Sequence, residues 1–523
     1  MRRVFGTTGR IGPVSLVALA CSAVAGLLQA ASMASPLDGQ PLWWLQLLSM
    51  AGLVGLLEAS PSPKRAALVG WVFATAWLTG TFWWLYISMH TYGGLAAPLT
   101  VLAVVGLAAV LSLYYAVVSA IFKALSPANP VWRAIVFASC WLLAELARGV
   151  WFTGFPWGAA GYAHLEGLGV FARYVGVYGI GWIAAVSACL FVAWLRRPLG
   201  LPALACLALV LLAVGAAYRF KPVDGAPGKK LAVTLLQGNI PQDEKFEAGT
   251  GVETALQWYG QQLNAASTPL VVAPETALPL LPQQMPVGYW EALQRRFHTG
   301  GQSALIGVPL GNRQDGYTNA VVGLQPGATA VYDYAKHHLV PFGDFIPPLF
   351  KWFTEMMNIP LGDFNRGAVG QASMAVAGQR LAPNVCYEDL FGEELGARFA
   401  DPRTAPTIFV NVSNIGWFGD SVAIDQHLSI SRMRTLEFER PMIRATNTGA
   451  TAIIDHRGRV LHALPRLTRG TLVAEVEGRG LTAANGWDIT PFAWWVARFG
   501  LWPLWALGGL GLGIGWLARR RNP

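Results

Sequence analysis

Long apolar segments are the feature that most constrains the fold of this chain. An α-helix needs about 20 apolar residues to cross the roughly 30 Å of hydrocarbon in a bilayer. Eight runs of about this length lie at residues 11–32, 42–58, 66–87, 95–122, 133–150, 170–195, 199–218 and 492–517. Of the 523 residues, 54% are hydrophobic and only 13% are charged, whereas soluble proteins carry about 25% charged residues. The sequence therefore predicts a polytopic α-helical membrane domain of about eight spans and disfavours a disordered chain.

Positively charged residues between these runs predict the orientation of the chain. Residues 1–220 contain 12 Lys and Arg against 4 Asp and Glu, and the remaining residues contain 26 against 25. With a cytoplasmic N-terminus, the cytoplasmic side would receive Lys64, Arg65, Lys123, Arg133, Arg196, Arg197, Arg519, Arg520 and Arg521. The loops 88–94 and 151–169 on the other side contain no Lys or Arg. Because cytoplasmic loops are enriched in Lys and Arg, we predict that both termini are cytoplasmic and that residues 220–491 lie outside. The basic excess thus belongs to helix ends, and no nucleic-acid partner is expected.

Residues 231–478 have a different pattern, in which short β-type runs alternate with helical stretches. The β-type runs are 231–236, 270–273, 304–308, 320–324, 407–412, 451–455 and 471–476. The helical stretches lie around 251–265, 288–298, 391–400 and 426–439. This alternation is typical of an α/β domain with its own core. We expect four regions: transmembrane helices 1–7 in 1–219, a linker in 220–230, an outer domain in 231–478, and a final transmembrane helix with a basic tail in 479–523.

Cys386 is the only cysteine in the outer domain. The other four lie in predicted membrane helices, where a cysteine is usually a small buried hydrophobe: Cys21, Cys140, Cys189 and Cys206. A thiol without a disulfide partner is either buried and inert or kept for chemistry. Cys386 follows a predicted strand at 380–385 and precedes a predicted helix at 388–399. Because a helix N-terminus favours thiolate and directs N–H groups at a reacting carbonyl, this position favours a nucleophile.

A nucleophilic thiol needs a base and a group that stabilises an oxyanion. Glu275 stands just past the hydrophobic strand at 270–273, and Lys336 stands at the end of another β-type stretch. Active-site groups of α/β folds gather at such strand ends. Taken singly, each is more typical of an exposed side chain, so their candidacy depends on Cys386.

The order Glu275, Lys336, Cys386 resembles the Glu–Lys–Cys triad of the nitrilase superfamily. Further matching motifs are Gln237-Gly238-Asn239, Pro274-Glu275, Pro341-Phe342-Gly343, Cys386-Tyr387-Glu388, Asn411-Val412-Ser413-Asn414, Gly416-Trp417-Phe418 and Arg444-Ala445-Thr446-Asn447-Thr448-Gly449. Together with the membrane spans, the chain resembles the bacterial apolipoprotein N-acyltransferase family over essentially its whole length. This resemblance implies a four-layer α-β-β-α sandwich on the periplasmic side of the inner membrane.

The resemblance also implies an activity. The family transfers an acyl chain, usually from phosphatidylethanolamine, through a cysteine thioester to the α-amino group of the N-terminal S-diacylglyceryl-cysteine of lipoproteins. It implies Glu275 as general base, Lys336 as oxyanion stabiliser and Cys386 as nucleophile. The backbone N–H of Tyr387 would be a second oxyanion donor.

Glu388 and Asp344 would be supporting polar groups near the triad. The family usually has Glu where Asp344 stands and Trp where Phe246 stands. The expected partners are a phospholipid acyl donor and diacylated apolipoprotein acceptors, and the expected state is a monomer.

Apolar side chains near the triad are candidates for contact with the acyl donor. They are Phe246, Phe342, Phe345, Trp352, Phe353, Met356, Met357 and Trp417. The apolar stretch 345–361 could enter the bilayer interface and admit an acyl chain; alternatively, it packs beneath the domain. The aromatic loop 151–157 either anchors the protein at the interface or forms a wall of the lipid site.

Other ionisable residues favour simpler interpretations. Glu145 and Arg148 are three residues apart in a predicted helix, which predicts an ion pair on the helix surface. The pairs His337-His338 and Asp455-His456 lack the spacing of zinc ligands, so neither a metal nor a cofactor is expected.

Two other functions remain open. The first is a membrane-tethered nitrilase-type amidase, in which water accepts the acyl group from the same thioester; the spans and the apolar loop favour a lipid donor instead. The second is a transporter or scaffold with an inactive outer domain. The filled triad positions, the scarcity of acidic residues in the spans and the absence of a GxxxxGK[ST] motif disfavour it.

Overall fold

Helices form the N-terminal part of the chain, and two β-sheets form the core of the later part. The structure is a computed structural model that describes residues 15–196, 200, 204, 208, 211, 214–215, 228–328, 330–346, 363–479 and 489–521. The predicted span at 199–218 and the linker at 220–230 lie largely outside these residues.

The N-terminal helices begin where the sequence supplies caps. Ser15, Ser62 and Asn129 accept hydrogen bonds from backbone N–H groups of the first turn, and a proline follows the last two of them. The helices of this part are α1 (Leu16–Met33), α2 (Trp43–Ala59), α3 (Pro63–Phe82), α4 (Ala97–Leu111), α5 (Leu113–Leu125), α6 (Pro130–Val150) and α7 (Ala172–Arg196). A π-helix, Ile87–Tyr92, follows α3.

Aromatic packing holds these helices together. Trp77 of α3 is fully buried; its ring stacks on Trp141 of α6 with 5.4 Å between centroids and meets Tyr115 of α5 at 5.1 Å. Gly26 lets α1 approach α3 closely, because a Cβ there would overlap the carbonyl oxygen of Phe73.

Four helical segments in the described part of the chain are long and apolar enough to span a membrane. They are Leu16–Met33, Ala97–Leu125, Pro130–Thr153 and Leu168–Arg196. A fifth candidate is the pair α12 (Pro491–Phe499) and α13 (Trp502–Arg521), whose axes differ by 90°. The described residues therefore provide four or five candidate spans and do not confirm eight.

The last predicted span, 492–517, is not one continuous helix. Gly500 adopts φ 53° at the end of α12, a conformation that glycine tolerates better than other residues. Pro503 then lies in the first turn of α13, where its missing N–H costs nothing. These two residues bend the chain where hydropathy alone predicts a straight span.

Two six-stranded sheets are present in the region from 228 to 479, apart from the masked stretches. Their strand orders are β12-β1-β2-β3-β4-β5 and β11-β10-β9-β8-β7-β6. The strands are β1 (Lys230–Gln237), β2 (Leu270–Val272), β3 (Ser303–Asn312), β4 (Gly316–Leu324), β5 (Tyr332–Ala335), β6 (Met374–Val376), β7 (Gln379–Val385), β8 (Ile408–Ser413), β9 (Met442–Thr446), β10 (Ala452–Ile454), β11 (Val460–Ala463) and β12 (Gly470–Glu477). Strands β1, β2 and β3 are parallel, as are β7, β8 and β9.

The two sheets face each other and carry helices on their outer faces. Buried residues such as Leu235 and Val410 form one core between the sheets. Helices α8 (Gly251–Ala265) and α9 (Tyr289–Thr299) cover the first sheet. Phe438 of α11 (Ala423–Phe438) packs on the second sheet with α12. The arrangement is the predicted α-β-β-α sandwich.

The sandwich packs directly on the N-terminal helices. One continuous apolar core includes Leu390 and Ile430 together with residues of α3, α6 and α7. Gln426 of α11 accepts hydrogen bonds from the indole N–H groups of Trp84 (3.0 Å) and Trp157 (2.7 Å). These contacts hold the second sheet against the helical part.

Candidate active site

Three strand ends bring Glu275, Lys336 and Cys386 to one place. Glu275 follows β2, Lys336 directly follows β5, and Cys386 directly follows β7. The Lys336 Nζ lies 3.2 Å from the Glu275 Oε1. The charges of Glu275 and Lys336 both act on the pKa of the Cys386 thiol, with Glu275 raising it and Lys336 lowering it. The structure therefore groups the three residues that the sequence predicted.

Glu275 is buried and fully hydrogen-bonded. Its Oε1 accepts from the Asn319 side chain at 2.8 Å and from Lys336, and its Oε2 accepts from the Asn414 backbone N–H at 2.9 Å. Burial raises the pKa of Glu275, but Lys336, Asn319, Lys245 and Asn414 together outweigh burial and hold that pKa below its usual value. Glu275 is therefore a carboxylate that can accept a proton.

Lys336 lies between two carboxylates. Its Nζ is 2.7 Å from the Asp344 Oδ2, besides its contact with Glu275. Burial lowers the pKa of Lys336, but Asp344 and Glu275 outweigh this effect and raise it. Asp344 is itself held by the Val340 N–H at 2.8 Å and by Asn319 at 3.3 Å. Asp344 thus reaches Lys336 although its side chain is one methylene shorter than the Glu usual in the family.

Cys386 begins a 3₁₀ turn rather than an α-helix. The predicted helix at 388–399 is divided into a 3₁₀ turn at Cys386–Leu390, the five-residue α10 at Gly392–Gly396 and a second 3₁₀ turn at Ala397–Phe399. Burial raises the pKa of the Cys386 thiol, and Glu275 raises it further. The expectation that a helix N-terminus favours the thiolate is therefore wrong, because so short a helix opposes desolvation only weakly. Both effects favour the protonated thiol over the thiolate.

Glu388 joins the segments that carry Lys336 and Cys386. Its Oε2 accepts from the Tyr334 hydroxyl (2.8 Å) and the Val385 N–H (2.6 Å). Its Oε1 accepts from the N–H groups of His337 (2.6 Å) and His338 (3.1 Å). Burial raises the pKa of Glu388, against the effect of these bonds. Glu388 supports the site by linking the end of β7 to the segment after β5.

A network of polar side chains lies behind Cys386, and not all of its members were predicted from the sequence. The Cys386 carbonyl oxygen lies 3.2 Å from both the Asn411 Nδ2 and the His427 Nε2. His427 Nε2 also lies 2.9 Å from Asp389, and Arg444 lies 3.1 Å from His427 Nδ1. Because a guanidinium only donates, Nδ1 accepts and Nε2 carries the proton. This network holds the turn that begins at Cys386, whose φ is 52°.

His427 and Asn319 gave weak sequence signals. Asn319 is a polar residue inside the apolar strand β4, and its partners Glu275 and Asp344 lie 44 and 25 residues away. His427 lies on α11 and reaches Cys386 across 41 residues. Only the fold brings these residues to the triad.

The aromatic loop 151–157 reaches the site through Tyr387. The Tyr387 hydroxyl donates to the Gly154 carbonyl at 3.0 Å, and its ring stacks on Phe155 with centroids 6.1 Å apart. Phe152, Thr153 and Gly154 have φ values of 55°, 73° and 79°. Phe152 is 92% exposed. The loop thus contacts Tyr387, next to Cys386, and also presents the exposed side chain of Phe152.

Arg148 holds this loop in place. Its guanidinium donates to the carbonyl oxygens of Phe155 (2.6 Å) and Trp157 (2.8 Å) and to the Tyr115 hydroxyl (3.2 Å). Glu145 accepts from the Ala160 N–H at 2.7 Å. Both side chains are buried, and no ion-pair contact joins them within the described residues. The predicted surface ion pair is therefore wrong, because the loop backbone supplies nearer partners.

The predicted acyl-donor contacts are placed in part. Trp352, Phe353, Met356 and Met357 lie outside the described residues. The other four, Phe246, Phe342, Phe345 and Trp417, are half-buried. The Phe246 ring lies 5.8 Å from the Lys245 Nζ, and the Trp417 ring meets Tyr92 edge-on at 6.0 Å. Among the described residues, no group of three or more His, Cys, Asp or Glu side chains could hold a metal ion.

The fold and the Glu–Lys–Cys cluster define a nitrilase-type domain joined to apolar helices. The family model for carbon-nitrogen hydrolase matches residues 232–484, and that for the apolipoprotein N-acyltransferase N-terminal domain matches residues 25–190. The apolipoprotein N-acyltransferase of Verminephrobacter eiseniae is 62% identical over 494 residues, which cover 91% of this chain and 92% of the relative. That of Ralstonia nicotianae is 46% identical, covering 84% and 85%. The chain belongs to the apolipoprotein N-acyltransferase family.

Proposed function

We propose that this chain transfers the acyl group in two steps through a Cys386 thioester. In the first step Glu275 takes the thiol proton, and Sγ attacks an ester carbonyl of phosphatidylethanolamine. The Lys336 ammonium and the Tyr387 backbone N–H stabilise the oxyanion. The C–O bond breaks, and Glu275 returns the proton to the leaving lysophospholipid.

In the second step the α-amino group of an S-diacylglyceryl-cysteine attacks the thioester. Glu275 accepts the proton of the attacking amine, the C–S bond breaks and the thiol is restored. The acceptor is thus a diacylated apolipoprotein, and the product carries a third acyl chain as an amide.

The observation that best supports this mechanism is the position of Lys336 between two carboxylates. It contacts both Glu275 and Asp344, while the neighbouring Cys386 thiol has a raised pKa. A protonated thiol beside an ionised carboxylate requires proton transfer at the moment of attack. The cation between the carboxylates supplies the positive charge that a tetrahedral oxyanion needs.

We also propose that the chain crosses the bacterial inner membrane eight times as a monomer, with both termini cytoplasmic. The helical regions would be 1–219 and 479–523, the linker 220–230, and residues 231–478 would form the periplasmic catalytic domain. A cluster at one end of the helices supports this topology: Glu58 contacts Arg133 at 2.9 Å and also Arg196, and its carbonyl accepts from Lys123 at 2.8 Å. These cations belong to the side predicted to be cytoplasmic, opposite the end that contacts the sandwich.

Half-buried aromatic residues around the site suit a lipid donor. Phe246, Phe342, Phe345 and Trp417 would line its path. The exposed side chain of Phe152 would add an apolar group that can contact lipid.

The test is an intact-mass measurement on the purified protein with phosphatidylethanolamine and no acceptor. We expect a fatty-acyl adduct that a diacylated lipopeptide removes, yielding a triacylated lipopeptide. Cys386→Ala should give no adduct, whereas Cys21→Ala, which removes a thiol from α1, should behave as wild type. Release of free fatty acid with no acylated lipopeptide would contradict this mechanism and favour the amidase alternative.

A further inference from the structure

Lys245 is a second buried lysine beside Glu275. It lies in the segment between β1 and α8 and is 2% exposed. Its Nζ donates to the backbone carbonyl of Glu275 at 3.2 Å. It therefore holds the main chain of the residue whose side chain contacts Lys336.

Without Lys245, the site would contain two carboxylates and only one ammonium group. Glu275 and Asp344 are two buried carboxylates, and both contact the single ammonium of Lys336. An unbalanced buried charge is strongly unfavourable. Burial lowers the pKa of Lys245 to about 8, with Glu275 and Cys386 acting in the opposite direction. The Lys245 ammonium, bound to the carbonyl of Glu275, would supply the second positive charge.

The segment that carries Lys245 is fixed to the site by hydrogen bonds. The Gln242 Oε1 accepts from the Asn414 side chain at 2.8 Å, and the Asn414 N–H donates to Glu275. Asn447 bonds both the N–H (3.0 Å) and the carbonyl (2.9 Å) of Ile240. The ammonium thus has a defined position relative to Glu275.

We propose that Lys245 is a positioning residue for acyl transfer, whose ammonium balances the second carboxylate and keeps Glu275 ionised and in place as the base. This inference rests on the proposed thioester mechanism. The titratable groups around the pair are Lys336, Asp344 and Cys386. Behind them lie Glu388, whose pKa is lowered by the charge of Lys336, and Asp389, whose charge raises the pKa of the Cys386 thiol.

The test is the pH profile of thioester formation in a Lys245→Met variant. Removing a nearby positive charge raises the pKa of Glu275, so the acid limb of the profile moves to higher pH. We expect the acid limb to move up by about one pH unit, which lowers the rate about tenfold at pH values below the limb and leaves it little changed at pH 7. Single-turnover mass measurements of the acyl adduct give both values. Lys245→Gln, which keeps a hydrogen-bond donor without the charge, should show the same shift.

Two control variants separate charge from folding. Lys230→Met removes the same charge from an exposed residue that pairs with Glu475 at 3.1 Å, and should leave the profile unchanged. Lys245→Arg keeps the charge and should keep the acid limb at the wild-type pH even where its rate is lower. An unshifted acid limb in both Lys245→Met and Lys245→Gln would overturn the inference.

A second measurement requires no lipid. Because Lys245 acts on the Cys386 thiol, its loss should raise the thiol pKa and slow alkylation of Cys386 by iodoacetamide at a given pH. Alkylation rates identical in wild type and Lys245→Met would contradict the charge effect. If wild type itself forms no adduct with phosphatidylethanolamine, the thioester mechanism fails and this inference fails with it.

Discussion

Lys336 and Arg148 are both buried cations, each about 1% exposed, but their partners differ in kind. Lys336 contacts the carboxylates of Glu275 and Asp344. Arg148 contacts a tyrosine hydroxyl and two backbone carbonyls, and within the described residues it has no carboxylate at ion-pair distance. One cation lies between two carboxylates, and the other binds the backbone of a loop.

This difference indicates what each residue contributes. A cation among carboxylates changes their pKa values and can meet a developing negative charge. A cation among carbonyl oxygens instead satisfies backbone groups that burial would leave unpaired. Loss of Lys336 should therefore lower the rate of the reaction, whereas loss of Arg148 should mainly lower the stability of the loop.

Lys336→Met should have the largest effect. Removal of the ammonium leaves Glu275 and Asp344 without their common partner and takes away an oxyanion stabiliser. We expect thioester formation to fall about 10³-fold, because one such donor is typically worth 10²–10³. The measurement is the single-turnover rate of adduct formation. A Lys336→Met variant that forms the adduct at a wild-type rate would remove the distinction between the two cations.

Arg148→Met should reduce the stability of the protein more than it reduces the rate of thioester formation. The carbonyls of Phe155 and Trp157 lose a buried donor, at a cost of about 1–3 kcal/mol. We expect a lower thermal unfolding temperature and a rate of thioester formation about tenfold lower, since the loop also contacts Tyr387. Arg148→Lys, which keeps one donor group, should recover part of the stability. An unchanged unfolding temperature would contradict the assigned role.

Asp344→Asn should change the pH profile in the direction opposite to Lys245→Met. Removing a carboxylate near Glu275 favours the ionised form of Glu275 and lowers its pKa. The acid limb of thioester formation should therefore move to lower pH, with a rate reduced about tenfold by the weaker hold on Lys336. Loss of the acid limb together with nearly all of the activity would show that Asp344, not Glu275, is the base that the profile reports.

Tyr387→Phe should have the smallest effect. The variant loses the hydrogen bond to the Gly154 carbonyl and keeps the backbone N–H and the ring that stacks on Phe155. One such bond is worth about 1 kcal/mol, so we expect a rate about fivefold lower and a slightly lower unfolding temperature. A loss as large as that of Lys336→Met would mean that the hydroxyl itself takes part in the reaction.

The grouping of Glu275, Lys336 and Cys386 was predictable from the resemblance to the nitrilase superfamily together with the strand ends that these residues follow. The fold places the ends of β2, β5 and β7 together. The helices at 251–265 and 289–299 were likewise predictable from their patterns. Here local sequence and tertiary structure agree.

Residues whose roles depend on distant partners were not predictable in this way. Strand β9 contains Arg444, a charged residue that argues against a buried strand until Asp389 and His427 are placed beside it. Lys245 resembles any surface lysine in the sequence, and only its contact with the Glu275 backbone distinguishes it.

Local sequence patterns also gave wrong predictions where backbone groups or backbone conformation decided the structure. The spacing of Glu145 and Arg148 suits an ion pair, but the following loop offers N–H and carbonyl groups that both side chains bind instead. Hydropathy predicted one span at 492–517, but Gly500 bends it.

The raised pKa of the Cys386 thiol also affects how easily the protein is oxidised. Oxidation to a sulfenic acid and exchange with disulfides both start from the thiolate. Burial and the charge of Glu275 raise the pKa of the Cys386 thiol and so favour its protonated form. A nucleophile kept in this form reacts slowly with peroxide or oxidised thiols between turnovers. Such a thiol would therefore stay reduced even where its surroundings are oxidising.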